Sequence, residues 1–203
     1  AEYGRVRENT AWKGKEEHPV GIPLDDTVPE RPETGYGAAK LCAGRLSRIL
    51  CESLGMRHVW TRFLSVYGPF DNSYTMVMSG IYRMLRGESP DYTKGEQMWD
   101  YIYSEDAARA MYLAAVYGRD QAVYCIGSGT ARPLASYICR IRDAAAPGRE
   151  IGIGKLPYPP GQVMYLCANI SKLTEDTGFE PEISFEEGIR RTVDWCREEM
   201  KRK

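Results

Sequence analysis

A tyrosine and a lysine four residues apart, Tyr36 and Lys40, are the residues whose types and spacing most directly suggest chemistry. Thr34 predicts the N-cap of a helix that runs to Gly55, and side chains four residues apart lie on one face of a helix. Three small residues continue near that face, Ala43, Gly44 and Ser47. We therefore expect a phenol and an ammonium group side by side, over a surface that packs closely against a neighbouring element.

Such a pair is suited to proton transfer. A free tyrosine loses its proton near pH 10, so a phenolate at neutral pH requires about 4 kcal/mol of stabilisation. A cation about 4 Å away, at the effective dielectric constant of a protein surface, supplies roughly that amount. The first turn of a helix adds about 0.3–1 kcal/mol in favour of an anion. The same pair is also typical of a solvated helix face, and the chain has 14 tyrosines, so the spacing by itself is weak evidence.

Length and composition limit the classes of protein to consider. The chain has 203 residues and a formal net charge of −1. This length allows one domain with a core, or a domain plus a lobe, and the charge predicts neither nucleic-acid nor membrane binding. No run of residues is long and apolar enough to predict a transmembrane helix. Six cysteines without a C-x-x-C pair predict reduced thiols in the cytoplasm, and two distant histidines predict that there is no metal site.

Periodicity predicts the other elements. Helices are expected at 75–86, at 134–145, from Asn169 to Gly178, and after Ser184 at the end of the chain. Strands are expected at 57–63, 97–103, 122–126 and 150–156.

Several motifs follow one another in a set order, and together they are more specific than the Tyr36–Lys40 spacing. The segments that carry them are 32–40, 58–63, 65–69, 95–110 and 124–129. In this order they resemble the extended short-chain dehydrogenase/reductase family, the NAD(P)-dependent sugar-nucleotide epimerases, dehydratases and ketoreductases. The resemblance runs over essentially the whole chain but covers only the C-terminal part of the family's pattern.

The resemblance implies an α/β fold, the C-terminal part of a Rossmann-type doubly wound sheet plus a small α+β substrate-binding lobe. Residues 1–72 would form the Rossmann-type portion with the Tyr36 helix. Residues 73–203 would form the lobe, with about 121–146 returning to the Rossmann sheet. The family's dinucleotide loop and its third catalytic hydroxyl would fall before residue 1. We therefore expect a truncated chain that is inactive alone.

The resemblance also implies roles for individual residues, with NAD or NADP as the cofactor and a nucleotide sugar as the substrate. Tyr36 would act as the catalytic acid/base during hydride transfer at a sugar carbon, and Lys40 would stabilise its anion and hold the nicotinamide ribose. Phe63 and Ser65 would complete the cofactor contacts. The substrate would be bound by Ser65, Tyr74, Gln97 and Trp99. The Tyr36 helix would be the surface of a homodimer.

The sequence departs from the family pattern at three places, and two of them, both absent arginines, leave a second hypothesis open. Many relatives carry Asn where Ser65 stands and Arg where Trp99 stands, and the 157–161 loop also lacks an arginine. An indole cannot pair with a pyrophosphate as a guanidinium does. The chain could therefore be a non-catalytic sugar-nucleotide-binding or scaffold module that has lost the cofactor half. The turn at 127–129 is not a dinucleotide fingerprint, because the third glycine is replaced by Arg132.

Overall fold

The computed structural model describes residues 2–3, 6 and 18–202. Parts of the predicted 1–72 unit, residues 1, 4–5 and 7–17, lie outside the described residues. The helices are α1 (Gly35–Ser53), α2 (Met76–Leu85), α3 (Ser104–Tyr117), α4 (Leu134–Ala145), α5 (Ser171–Thr177) and α6 (Phe185–Arg202). The strands are β1 (Trp60–Phe63), β2 (Ser65–Tyr67), β3 (Met98–Trp99), β4 (Tyr101–Tyr103), β5 (Val123–Ile126), β6 (Arg132–Pro133) and β7 (Tyr165–Leu166). None of the helices in this part of the chain combines the length and apolarity needed to cross a bilayer.

The first helix begins and ends where its sequence predicts. The Thr34 hydroxyl accepts a hydrogen bond from the Gly37 backbone N–H at 3.0 Å, which confirms the N-cap. The helix ends at Ser53, and Gly55 follows with a φ of +63°, a conformation that glycine adopts without strain. Among its residues only Gly37 is buried, so most of α1 faces solvent or open space.

Two sheets of the described chain each consist of one parallel pair of strands. β1 pairs with β5, from Trp60 opposite Val123 to Phe63 opposite Ile126. β2 pairs with β4 in the same parallel sense. Parallel pairs require long crossovers, and here α2 and α3 lie within those crossovers. The predicted α/β class is therefore present in the described chain.

A third sheet of the described chain is mixed and has the strand order β6-β3-β7, with β3 antiparallel to β6 and parallel to β7. One core of the described chain lies between α2, α4 and α6, which pack together and against Tyr67 of β2 and Tyr103 of β4. A separate core lies between α3, α5 and β5.

The strand predicted at 97–103 is divided at Asp100, which is fully buried. Its carboxylate accepts hydrogen bonds from the Ser128 backbone N–H at 2.8 Å and hydroxyl at 2.6 Å. It also accepts from the backbone N–H groups of Gly129 at 3.2 Å and Ala168 at 3.0 Å. Asp100 therefore joins the break between β3 and β4 to the turn after β5 and to the segment after β7.

The prediction of a strand at 150–156 is wrong, because this segment forms only one isolated bridge in the described chain, between Asp91 and Gly152. Gly154 has a φ of +85°, and its N–H donates to the carbonyls of Tyr92 and Thr93. The segment is folded into turns here, so it cannot form a continuous ladder.

Candidate active site

A cavity of about 650 Å³ runs along β1 beside the first turn of α1. Its wall includes Tyr36 and Lys40 from α1 and Phe63 from the end of β1. The structure therefore brings together three of the site residues that the sequence predicts. Tyr36 is 67% exposed and Lys40 is also exposed, so both side chains lie at the open side of this cavity.

Small residues let α1 approach β1 closely further along the helix. A Cβ atom at Gly44 would lie 2.8 Å from the Trp60 indole, so a larger residue there would force the two elements apart. One turn later, the Ser47 hydroxyl and the His58 Nε2 are 3.0 Å apart. The closely packed face is narrower than predicted, because Ala43 is exposed and the cavity separates the first turn of the helix from β1.

The wall of the cavity beside β1 contains an ion-pair network centred on Arg62, whose side chain is 7% exposed. Its Nε donates to Glu2 at 2.6 Å and its Nη1 donates to the Tyr3 hydroxyl at 2.8 Å. Its Nη2 donates to Glu30. Glu30 also accepts from Arg45 of α1 at 2.9 Å. The network therefore ties β1 to α1 and to the segment that precedes α1.

The network has a defined protonation state. Burial would raise the pKa of Glu30, but the hydrogen bonds from Arg45 and Arg62 outweigh it and the pKa is lowered. Burial raises the pKa of the Tyr3 phenol, and the neighbouring Cys125 raises it further. Tyr3 is thus neutral, and it donates to the Asp25 carbonyl at 2.6 Å. Burial also raises the pKa of the Cys125 thiol to about 11.

This network was not predicted from the sequence. One signal was available, since Arg62 interrupts an otherwise strand-like run and a charge on a buried strand needs partners. Its partners Glu2 and Glu30 are 60 and 32 residues away in the chain, and nothing in the local pattern identifies them.

The predicted substrate-binding residues divide into two groups. Ser65 and Trp99 contact each other, because the Trp99 indole N–H donates to the Ser65 hydroxyl at 2.8 Å. Gln97 is buried on the neighbouring stretch, and the Tyr158 phenol lies 3.4 Å from its side-chain oxygen. Tyr74 stands apart from them, in the turn before α2, and is 90% exposed.

The turn at 127–129 is occupied by a protein group. The backbone N–H groups of Ser128 and Gly129 donate to Asp100, so they are not free to bind a pyrophosphate. This agrees with the interpretation that the turn is not a dinucleotide fingerprint.

Known proteins match this chain in sequence. Residues 10–127 match the NAD dependent epimerase/dehydratase family. A dTDP-glucose 4,6-dehydratase of Shigella flexneri is 29% identical over 182 residues, which is 86% of this chain and 50% of that protein. The chain thus spans about half the length of the curated relatives it matches.

Solved structures share the fold. A UDP-glucose 4-epimerase of Thermotoga maritima with UDP-glucose is 28% identical, has a TM-score of 0.81, and matches over 98% of this chain and 60% of its own. A UDP-glucose 4-epimerase of Thermus thermophilus in complex with NAD is 27% identical, has a TM-score of 0.77, and matches over 97% of this chain and 61% of its own. The α/β fold predicted from the sequence, part of a Rossmann-type sheet with a lobe, is confirmed by this likeness.

Proposed function

Because this chain belongs to the NAD dependent epimerase/dehydratase family, we propose that the whole protein is an NAD(P)-dependent enzyme that transfers hydride at a carbon of a nucleotide sugar. The observation that carries the proposal is the cavity that Tyr36, Lys40 and Phe63 share. Support also comes from the relatives' own names, which include dTDP-glucose 4,6-dehydratase and UDP-glucose 4-epimerase with NAD.

The cavity fits the nicotinamide end of a dinucleotide better than its pyrophosphate. It offers an ammonium group, a phenol and a half-exposed aromatic ring at the end of a strand of a parallel pair, where α/β proteins bind ligands. The tight turn after β5 holds the Asp100 carboxylate instead of a phosphate. When bound, NAD(P) supplies the hydride chemistry.

The chain's own residues move and hold the proton. Tyr36 Oη takes the proton of the reacting sugar hydroxyl, or returns it to the carbonyl oxygen, as a general base and acid. Lys40, which lies one helical turn away, stabilises the phenolate by its positive charge and donates to the ribose hydroxyls. Phe63 supplies an apolar wall that limits the access of water. Ser65, which follows β1 in the chain, contacts both the cofactor and the sugar.

The proton step at Tyr36 is common to three reactions: epimerisation, 4,6-dehydration and reduction of a keto sugar. The protein is therefore an oxidoreductase-type enzyme whose net reaction is that of an isomerase, a lyase or a reductase. Gln97, Trp99 and Tyr74 contribute to the binding of the nucleotide sugar. We propose that this chain alone is inactive, because the N–H groups of the turn at 127–129 donate to Asp100 and leave that turn unsuited to a pyrophosphate.

The proposal extends to assembly and location. α1 leaves the apolar residues Leu46, Ile49 and Leu50 exposed, and exposed apolar residues of this kind fit self-association as a homodimer. The six free thiols fit a reducing compartment, so the cytoplasm is the proposed location.

Isothermal titration of the whole protein separates the enzyme from the non-catalytic module. We expect binding of NAD or NADP and of a nucleotide sugar such as UDP-glucose or dTDP-glucose. Binding of the nucleotide sugar without either dinucleotide would favour the module, and binding of neither would refute both hypotheses. Turnover by residues 1–203 alone would contradict the proposed inactivity of this chain.

A further inference from the structure

The hydrogen bond between Trp99 and Ser65 has a direction that chemistry dictates. An indole N–H is a donor and never an acceptor, so the Ser65 oxygen accepts in this bond. The hydroxyl proton of Ser65 must therefore point elsewhere. In the part of the chain that the structure describes, no other hydrogen bond of this hydroxyl is found. The Ser65 oxygen therefore accepts from Trp99, while the Ser65 O–H can still donate to a ligand.

The same bond connects two parts of the fold. Ser65 is the first residue of β2 and lies two residues after Phe63, which lines the cavity with Tyr36. Trp99 lies in β3, the central strand of the mixed sheet in the lobe. Both side chains are partly buried, so water competes weakly for the bond. A residue of the mixed sheet thereby sets the orientation of the Ser65 hydroxyl, which follows β1 in the chain.

We propose that Trp99 is a positioning residue, whose indole N–H holds the Ser65 hydroxyl as a hydrogen-bond donor to an oxygen of the sugar in a nucleotide sugar. This inference rests on the proposed function and goes beyond it, because it replaces an independent ligand contact at Trp99 by an indirect role. With its N–H engaged by Ser65, Trp99 has no side-chain donor left for a ligand.

A double-mutant cycle in the whole protein tests this proposal. The variants are Trp99→Phe, Ser65→Ala and the double variant, and Trp195→Phe is the matched control, since Trp195 lies in α6 against Phe70. We expect each single variant to raise KM for the nucleotide sugar about fivefold, with kcat little changed. The double variant should match Ser65→Ala, because the indole acts through the hydroxyl. Trp195→Phe should leave KM unchanged.

A spectroscopic measurement detects the bond without activity. In ¹⁵N-labelled whole protein, the indole N–H resonance that Trp99→Phe removes should shift upfield in Ser65→Ala. Increases in KM that multiply in the double variant, or an unshifted indole resonance, would overturn the positioning role and leave the proposed function standing. A wild-type protein that binds no nucleotide sugar would refute the proposed function and this inference together.

Discussion

At the level of single residues, the buried Arg62 connects several segments of the chain beside the candidate active site. Its guanidinium is held by Glu2, Glu30 and the Tyr3 hydroxyl, beside the cavity that Tyr36 lines. A buried pair of this kind is weak evidence of net stabilisation, but removing one partner leaves the other charge buried without compensation.

We predict that Arg62→Leu lowers the free energy of unfolding by about 3–5 kcal/mol, because Glu2 would stay buried without its ion-pair partner and would keep only the Trp60 indole N–H as a donor. The matched control is Arg45→Leu, which removes the other guanidinium bound to Glu30. Since Arg45 is 69% exposed, its pair should contribute less than about 1 kcal/mol. Urea unfolding of both variants measures the difference. Equal losses would show that the Arg62 network is not buried in solution.

The residues of the site were predictable to different degrees. Tyr36, Lys40 and Phe63 could be selected because their motifs lie in continuous stretches of sequence. The contact between Ser65 and Trp99 could not, because it joins residues 34 apart on strands of different sheets. Side-chain pairing across elements leaves no periodic signal in a single chain.

At the level of secondary structure elements, the buried Asp100 fixes where β3 ends and where β4 begins. Four hydrogen bonds reach its carboxylate from two other segments of the chain. A buried carboxylate with this number of donors is fully satisfied, so it stabilises the junction between the two sheets.

We predict that Asp100→Asn destabilises the protein by about 3 kcal/mol, because the amide NH₂ would face backbone N–H groups that need an acceptor. Asp194→Asn is the control, as Asp194 is half-exposed and pairs with Arg197 on the surface of α6. That variant should change the free energy of unfolding by less than about 0.5 kcal/mol. Thermal unfolding measures both, and an unchanged melting temperature for Asp100→Asn would contradict the assigned role.

Elements with strong local signals were predicted well. The helix predicted at 134–145 is α4, Leu134–Ala145, and the helix predicted at 75–86 is α2 to within a residue at each end. The strand predicted at 150–156 failed because its glycines permit turns that the alternation of side chains does not reveal. The strand at 97–103 was predicted as continuous because its break depends on Asp100 and on residues far along the chain.

At the scale of the whole molecule, the predicted family is confirmed by the match over residues 10–127. The α/β fold is confirmed as well, by the parallel pairing of β1 with β5 and by the likeness to solved structures. The division near residue 72 stays a prediction, and so do the roles of the site residues.

The exposed apolar residues of α1 give a prediction about assembly. If the whole protein dimerises through this helix, Leu50→Arg should convert the dimer to a monomer, because a charge would be buried in an apolar interface. Leu156→Arg is the control, since Leu156 is also exposed but lies in a loop of the lobe. Sedimentation velocity distinguishes the two states. A dimer that persists in Leu50→Arg would place the interface elsewhere.

The central claim is that Tyr36 moves the proton that accompanies hydride transfer, and its most direct test is single-turnover reduction of the bound cofactor in the whole protein. We predict that Tyr36→Phe lowers the rate at least about 100-fold while the Kd for the nucleotide sugar stays within about twofold. Tyr112→Phe, which removes an exposed phenol on α3, should leave the rate unchanged. A Tyr36→Phe rate within a few-fold of the wild-type rate would contradict the account.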